Sequence, residues 1–511
     1  MKKRLIAALL TLSTAAMVLT GCGSSKDSGS SQTTAAAAED AGAADAGTAD
    51  TSKEVELVMY VVSDRPAGQD VVDENLNKLL KEKLNCTLKI NWIGWAEYAQ
   101  KYPMLYSSGE SFDMAYCAGW LNFSNLARKG AFKSLDDLLP QYAPKNYAMQ
   151  SESALSQATI DGHLYAVPTL LPTYTTYGSI YRGDIAAEAG ITDPVDTFDE
   201  IEQFCDFVLE NHPEMEPLDM YSSGPELALV NTRAIGYKDL DSGLRYVYYD
   251  PSEENPVVTP VYDIEGMDEF YARMKTWCDK GYWSKSALSD TDSTKTQNGK
   301  AAIKFHNVDT WASLCVLHPE WDFQYGVMTK DIAHLPYTQD CMVISNTSKN
   351  PERAMMLWDL LTTDQEAYDA FFYGVLDTTY TLNEEGQFTI TDPDLYGTNA
   401  MWAVRTMDLN RNQAGVPESY DTMREDWEKT IKADQGAERF TGFVLDTTNI
   451  TTEVAACTNA EQQYGWPLQL GYTDNVEASI EDYKKAMQAA GIDKVVEECQ
   501  KQLDAYIAAQ K

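Results

Sequence analysis

The stretch VELVMYVV (Val55–Val62), with VVDENLNKLLKEKLNCTLKINWIGW (Val71–Trp95) behind it, decides the architecture. The first run is continuously apolar, as a strand is. Val72, Leu76, Leu79, Leu80 and Leu84 then recur at helical spacing, and Leu88, Ile90 and Trp92 alternate as a second strand. Strand, helix, strand is a βαβ unit, so the two strands are expected to run parallel with a right-handed crossover. A further helical pattern over 96–106 leads through Gly109 to a third strand, FDMAYC (Phe112–Cys117). The alternation continues along the chain, which predicts the α/β class, a sheet layered by helices.

In such sheets ligands bind beyond the carboxyl ends of the strands. The first strand ends at Ser63, Asp64 and Arg65, the second at Gly94 and Trp95, the third at Ala118, Gly119 and Trp120. Two indoles and a charged pair therefore converge on one rim. A single Trp at a strand end is as readily a core residue; two of them favour the rim.

Composition narrows what that rim handles. The chain has 511 residues, with 40 Lys+Arg against 78 Asp+Glu and a formal charge of −38. Its length suggests about two to four structural units. The acidity argues against nucleic acid and against docking of the folded body on an anionic membrane. Tyr (30) and Trp (11) together far outnumber Phe (14), so most aromatic rings carry a polar atom. An uncharged or cationic partner fits this balance.

The amino end carries an export signal. Lys2, Lys3 and Arg4 precede the apolar run Leu5–Val18, which is too short to span a bilayer comfortably. Leu19-Thr20-Gly21-Cys22 resembles the lipobox of bacterial lipoproteins, which implies cleavage after residue 21 and lipidation of Cys22. Two acyl chains there would anchor the protein stably. Residues 22–53, the lipidated Cys and a Ser/Gly/Ala/Thr-rich stretch without an aromatic residue, read as a disordered tether. Cys86, Cys117, Cys205, Cys278, Cys315, Cys341, Cys457 and Cys499 show no clustered spacing; buried thiols are expected, although export permits disulfides. No second apolar stretch is long enough for a transmembrane helix.

Further along, helices are expected at Phe198–Glu210, Met267–Lys280, Val308–Leu317 and from Pro351, with two more after Val476 broken at Gly491. A Tyr- and Pro-rich stretch, Gly236–Tyr262, reads as a hairpin within a longer insertion from His212. Catalytic signatures are missing: G-x-S-x-G, H-E-x-x-H, P-loop and dinucleotide-binding strings do not occur. His163, His212, His306, His318 and His334 include no i, i+4 pair. Ser289–Gly299 holds Asp290 and Asp292, but Lys295 stands where an EF-hand loop needs Gly. No catalytic residue, metal or cofactor is predicted. A carboxylate-based glycosidase stays open, because two Asp or Glu across a cleft suffice.

Five strings taken in order carry a family resemblance: SSGESFDMAYCAGW (Ser107–Trp120), IDGHLYAVPTLLPTYTTYGSIYRGDI (Ile160–Ile185), NGKAAIKF (Asn298–Phe305), ISNTSKNPERAMMLWDLLTTDQEAYDAFFYG (Ile344–Gly374) and MWAVRTM (Met401–Met407). With the lipobox, the chain resembles the extracellular solute-binding lipoproteins that feed ABC importers, and is most similar to the long, sugar-binding-like branch with an extra C-terminal domain. The resemblance implies a clamshell of two discontinuous α/β lobes around a hinge. Mapped here, lobe one is 54–167 plus 318–345, lobe two 168–317 plus 346–466, and 467–511 a C-terminal helical segment. Hinge crossings are expected at Val167-Pro168, His318-Pro319 and Asn346–Ser348. The implied binding residues are Asp64, Arg65, Trp95, Trp120, Tyr174, Tyr177, His306, Asn307, Trp311, Trp402 and Arg405. Indole and phenol rings stack on the C–H face of a sugar, while Asp and Arg bind its hydroxyls. The implied function is a monomeric, non-enzymatic, lipid-anchored receptor that passes a carbohydrate, an oligosaccharide above all, to a permease. A peptide or other solute remains the alternative, with Asp64 or Asp113 available for a peptide's amino terminus, and the 212–262 insertion has no counterpart in the sugar-binding pattern.

Overall fold

In the computed structural model β1 (Val55–Val62) pairs in parallel with β2 (Cys86–Ile93) along its whole length, from Val55 opposite Cys86 to Val62 opposite Ile93. Helix α1 (Gln69–Leu84) makes the crossover and buries Val72, Leu76 and Leu80 against the sheet. β3 (Met114–Cys117) lies on the other side of β1, also parallel. Strand Cys341–Ile344 then pairs antiparallel with β3, and Val167–Pro168 closes the far edge. The structure describes residues 50–510, apart from 96, 222–225, 242, 291, 330–331, 434–438 and 441. Cys22 and the predicted tether as far as residue 49 lie outside the described residues; its last residues, 50–53, lie against lobe one, where Arg353 donates to the Asp50 carbonyl and Asn85 Nδ2 to the Thr51 carbonyl at 2.9 Å.

A second sheet orders the strands Gln324–Val327, Tyr177–Tyr181, Ala301–Asn307 and Glu216–Leu218. Each sheet has its own apolar core. The first gathers Leu57, Met59, Met114, Tyr116, Val343, Leu357, Trp358 and Tyr368, and the second Phe204, Val247, Tyr271, Trp277, Ile303, Tyr483 and Leu503. These are the two lobes of the fold.

The packing redraws the expected lobe boundaries. Helix Pro351–Thr363 starts at Pro351 as expected, but Ala354, Leu357, Trp358 and Leu361 sink into the first core. Residues 346–404 thus build lobe one, not lobe two. Strand Gln324–Val327 pairs with Tyr177–Tyr181, so the chain after His318 stays in lobe two. His318-Pro319 is therefore no hinge crossing. Asn346–Ser348 is not one either: the Asn346 amide donates to the Ala131 carbonyl at 2.9 Å and the Ser348 hydroxyl to Asp113 at 2.7 Å, both in lobe one. The first crossing, 169–176, pairs antiparallel with the second, 328–340, where Tyr174–Thr175 meets Ala333–His334; a third follows Ala414, whose amide still donates to the Phe388 carbonyl of lobe one at 2.8 Å, and leads to helix Glu418–Ala433, whose Tyr420, Met423 and Trp427 pack with Trp311 of lobe two.

Elsewhere the local signals hold. Helices Met267–Lys280 and Val308–Leu317 fall on the expected residues, and Phe198–Asn211 carries a capping box between Thr197 and Glu200. Gly491, at φ 93°, breaks the C-terminal pair into Val476–Ala490 and Ile492–Ala509. These helices finish the second core through Met487, Val495 and Cys499. The predicted hairpin is a three-stranded meander, Lys238–Asp239, Val247–Tyr249 and Thr259–Pro260, whose Tyr246, Val247 and Tyr248 belong to the same core. The eight cysteines among the described residues are free thiols. No described helix is long and apolar enough to cross a membrane.

One buried acid lies in the C-terminal part. Glu461 accepts hydrogen bonds from the Tyr483 hydroxyl and from Gln469 Nε2 at 2.8 Å. Burial pushes its carboxyl from 4.5 up to about 7, because these two bonds only partly offset the lost hydration. The folded state thus binds a proton that the unfolded chain releases at lower pH. Its contribution to stability is full below pH 4.5 and is lost as pH rises to about 7. Glu461→Gln should flatten the stability profile across that window, a difference of roughly 3 kcal/mol between its ends. Urea denaturation at pH 4.5 and 7.5 measures it.

Candidate functional site

The strand-end rim forms as the parallel sheet dictates. The indole of Trp95, after β2, is stacked 6.1 Å from Trp120, after β3, with planes 28° apart. It is stacked equally on Trp402, at 6.2 Å and 20°. Tyr98 sets its ring edge-on to Trp95 and Trp120, at 5.8 and 5.6 Å. Tyr116 lies 6.1 Å from Trp120 and edge-on to Trp402 at 5.8 Å. Three predicted tryptophans from three separate segments therefore share one aromatic cluster. Tyr98 and Tyr116 carry no sequence signal of a site: Tyr98 lies within a helical pattern, and Tyr116 inside the third strand.

Charged groups flank the cluster. Asp64 lies against Gly94, where a Cβ would come within 2.5 Å of its Oδ1. Only glycine allows the carboxylate to come this close to the turn that carries Trp95. Asp64 is exposed and has no hydrogen bond or ion pair among the described residues. Arg65 turns away to Asp70 at 2.5 Å, with both partners exposed. Arg405 ion-pairs with Asp340 at 2.5 Å, and the Tyr116 hydroxyl donates to the other Asp340 oxygen at 2.6 Å. Burial opposes the Arg405 charge, but Asp340 and Asp309 more than offset this and hold its pKa above the ordinary arginine value. Asp309 opens helix Val308–Leu317 of lobe two, so the field at Arg405 comes from both lobes. Asp309 accepts from the Tyr420 hydroxyl at 2.5 Å, and Arg424 donates to that hydroxyl at 3.1 Å. Asp309, Asp340, Tyr420 and Arg424 carried no local sequence signal, since only the tertiary fold assembles them.

The remaining predicted residues fare differently. Trp311 is a core residue, 5 % exposed; its indole N–H donates to the Phe323 carbonyl at 2.7 Å and its ring stacks on Tyr325. It has no free face for a ligand. Asn307 spends its side-chain oxygen capping that helix, accepting from the Thr310 amide at 3.1 Å. His306 is half-buried with Nδ1 2.7 Å from the Thr310 hydroxyl. Tyr174 is buried in the hinge pair and stacked on His334 at 4.6 Å. Tyr177 begins the lobe-two strand with Arg233 over its ring at 4.5 Å. Asp113 is consumed within lobe one by the Val58 amide and Ser348. In the 289–299 loop the Lys295 ammonium binds Asp290 and Glu216 at 3.1 and 2.8 Å, filling the place of a cation. The described residues contain no cluster of three or more metal-ligating side chains.

A groove of about 750 Å³ lies elsewhere, between Arg128, Ser156 and Asp161 of lobe one and Phe443, Gln502 and Tyr506 of the C-terminal part. Its two rings are packed edge to face on each other, at 5.5 Å, so it lacks the stacked platform of the tryptophan cluster.

Asp340→Asn should cost about 2–4 kcal/mol of stability, because Arg405 is left buried without its counter-charge. Thermal denaturation beside the parent protein measures this.

Known proteins share this fold. The family of bacterial extracellular solute-binding proteins matches residues 65–206, and a domain of unknown function, DUF3502, matches 439–508. A carbohydrate ABC transporter substrate-binding protein of Streptococcus pneumoniae is 25% identical over 474 residues, covering 91% of this chain and 93% of that protein. The crystal structure of NgtS, an N-glycan transport solute binding protein of the same species, superposes with a TM-score of 0.74 at 22% identity, over 89% of this chain and 100% of that one. NgtS in complex with Man5GlcNAc gives 0.71 at 23% identity, over 89% and 99%. FusA of S. pneumoniae with kestose gives 0.59 at 16% identity, over 90% and 100%. The chain matches the bacterial extracellular solute-binding protein family through residues 65–206 and is built on the two-lobe fold of solute-binding proteins.

Proposed function

We propose that the protein is the substrate-binding receptor of an ABC importer for carbohydrate, specifically an oligosaccharide held between the lobes. The observation that carries this reading is the cluster of Trp95, Trp120 and Trp402 with the free Asp64 carboxylate at its side. A pyranose ring offers an apolar C–H face for an indole and a rim of hydroxyls for carboxylate and guanidinium. The carbohydrate transport named for the S. pneumoniae relative, and the glycan complexes of NgtS, support it.

The protein acts by binding and not by turnover. Ligand touching both lobes stabilises the closed arrangement relative to the open one, and the closed form docks on the permease. Arg405 is suited to this, since Asp340 of lobe one and Asp309 of lobe two both act on it. Cys22 carries the lipid, residues 23–49 are the tether, and a monomer suffices.

Trp120→Ala should weaken the binding of Man5GlcNAc by roughly tenfold or more while leaving the thermal midpoint close to the parent's; calorimetric titration measures the first and thermal denaturation the second. Small-angle scattering should show compaction at saturating oligosaccharide. An unchanged radius of gyration with the sugar bound would remove the closure, and stabilisation by dipeptides but by no sugar would remove the carbohydrate assignment.

A further inference from the structure

The indoles of the site face one another. Trp95 covers one face of Trp120 and one face of Trp402, and a sugar would need those faces. The three rings are buried to different extents. Trp402 follows Met401 in a short turn; its carbonyl accepts from Arg405 Nε at 3.1 Å, and Tyr116 backs its ring. Trp120 stands in a turn closed by the Leu121 amide on Ala118 at 3.0 Å and the Asn122 amide on Gly119 at 2.9 Å, with Tyr116 behind it as well. The Trp95 turn is closed likewise, by the Glu97 amide on Gly94 at 3.1 Å, and none of the three indole N–H groups has a hydrogen bond among the described residues; what sets Trp95 apart is its exposure, 41 %, where Trp120 and Trp402 are part-buried on the core of lobe one. The Trp95 turn rests on Gly94, packed against the Asp64 carboxylate.

We infer that Trp120 and Trp402 form a stacking subsite for a pyranose ring, and that Trp95 fills this subsite when no sugar is present. An indole and the C–H face of a pyranose are flat, apolar and similar in reach, so one replaces the other without a cavity opening between. The exchange leaves the two part-buried rings in place and moves only the exposed one. Asp64, at the base of the same turn, meets the incoming hydroxyls as Trp95 leaves. The filled state keeps two large apolar faces out of water in the empty receptor. It also lowers the apparent affinity by the fraction of molecules with the subsite open.

This inference rests on the carbohydrate reading, and the test separates the two. Man5GlcNAc is titrated calorimetrically into the parent protein and into Trp95→Ala, Trp95→Phe and Trp120→Ala. Removing the occupant should tighten binding by roughly tenfold. Trp95→Phe keeps a stacked ring and should stay within about threefold of the parent, and Trp120→Ala should weaken binding. If Trp95→Ala binds as the parent does, or more weakly, Trp95 is part of the wall and the exchange is overturned, while loss of binding in Trp120→Ala still supports the sugar site. If neither the parent nor Trp95→Ala binds the glycan, both readings fall. A Trp95→Ala protein with a lowered thermal midpoint is read through Trp95→Phe: a Phe variant that binds more weakly than the parent also overturns the exchange.

Discussion

Arg405 and Asp340 form the contact on which both the hinge and the site depend. Asp340 lies on the second interlobe crossing, and its carbonyl accepts from the Thr169 amide of the first crossing at 3.0 Å. The carbonyl of Arg405, just after the Trp402 turn of lobe one, accepts from the Leu170 amide at 3.1 Å and from the Thr169 hydroxyl at 3.1 Å. The guanidinium and the carboxylate close this triangle at 2.5 Å. Two interlobe crossings are thus tied to one turn of lobe one. An ion pair this buried contributes little net stability against an apolar replacement, but losing one partner is costly. Its value here is geometric, since it fixes the register of strands too short to fix it themselves.

The same contact reaches the aromatic cluster. Arg405 Nε holds the Trp402 carbonyl, and Asp340 holds the Tyr116 hydroxyl, whose ring supports Trp402 and Trp120. Hinge and stacking surface are therefore one polar and aromatic unit. Asp309, on the opposite lobe, adds to the field at Arg405. A ligand that bridges Trp402 and the start of helix Val308–Leu317 would act on the hinge directly, without a relay through the cores.

Patterns internal to a segment were legible in the sequence. The β1–α1–β2 unit follows from apolar periodicity, and the ends of β1, β2 and β3 put Asp64, Trp95 and Trp120 on one rim. Partner choice was not legible. The apolar stripe of helix Pro351–Thr363 says that one face is buried and leaves open which sheet buries it; the first core does, which puts residues 346–404 in lobe one against the expectation. Trp311 and Trp120 both follow strand ends and look alike in sequence; the Phe323 carbonyl, twelve residues after Trp311, makes one of them core. Trp402 and Arg405 came from family resemblance, because no periodicity marks a turn of three residues. Tyr116 and Asp340 stand 224 positions apart and needed the folded sheet to meet.

The most direct test of the account is a crystal structure of the protein with Man5GlcNAc bound. The account predicts a pyranose ring stacked on Trp120 or Trp402, within about 4 Å of the indole plane, with its hydroxyls bonded to Asp64 or Arg405 and the lobes closed over it. A glycan seated in the groove between Arg128 and Tyr506, with the tryptophan cluster unchanged, would contradict it.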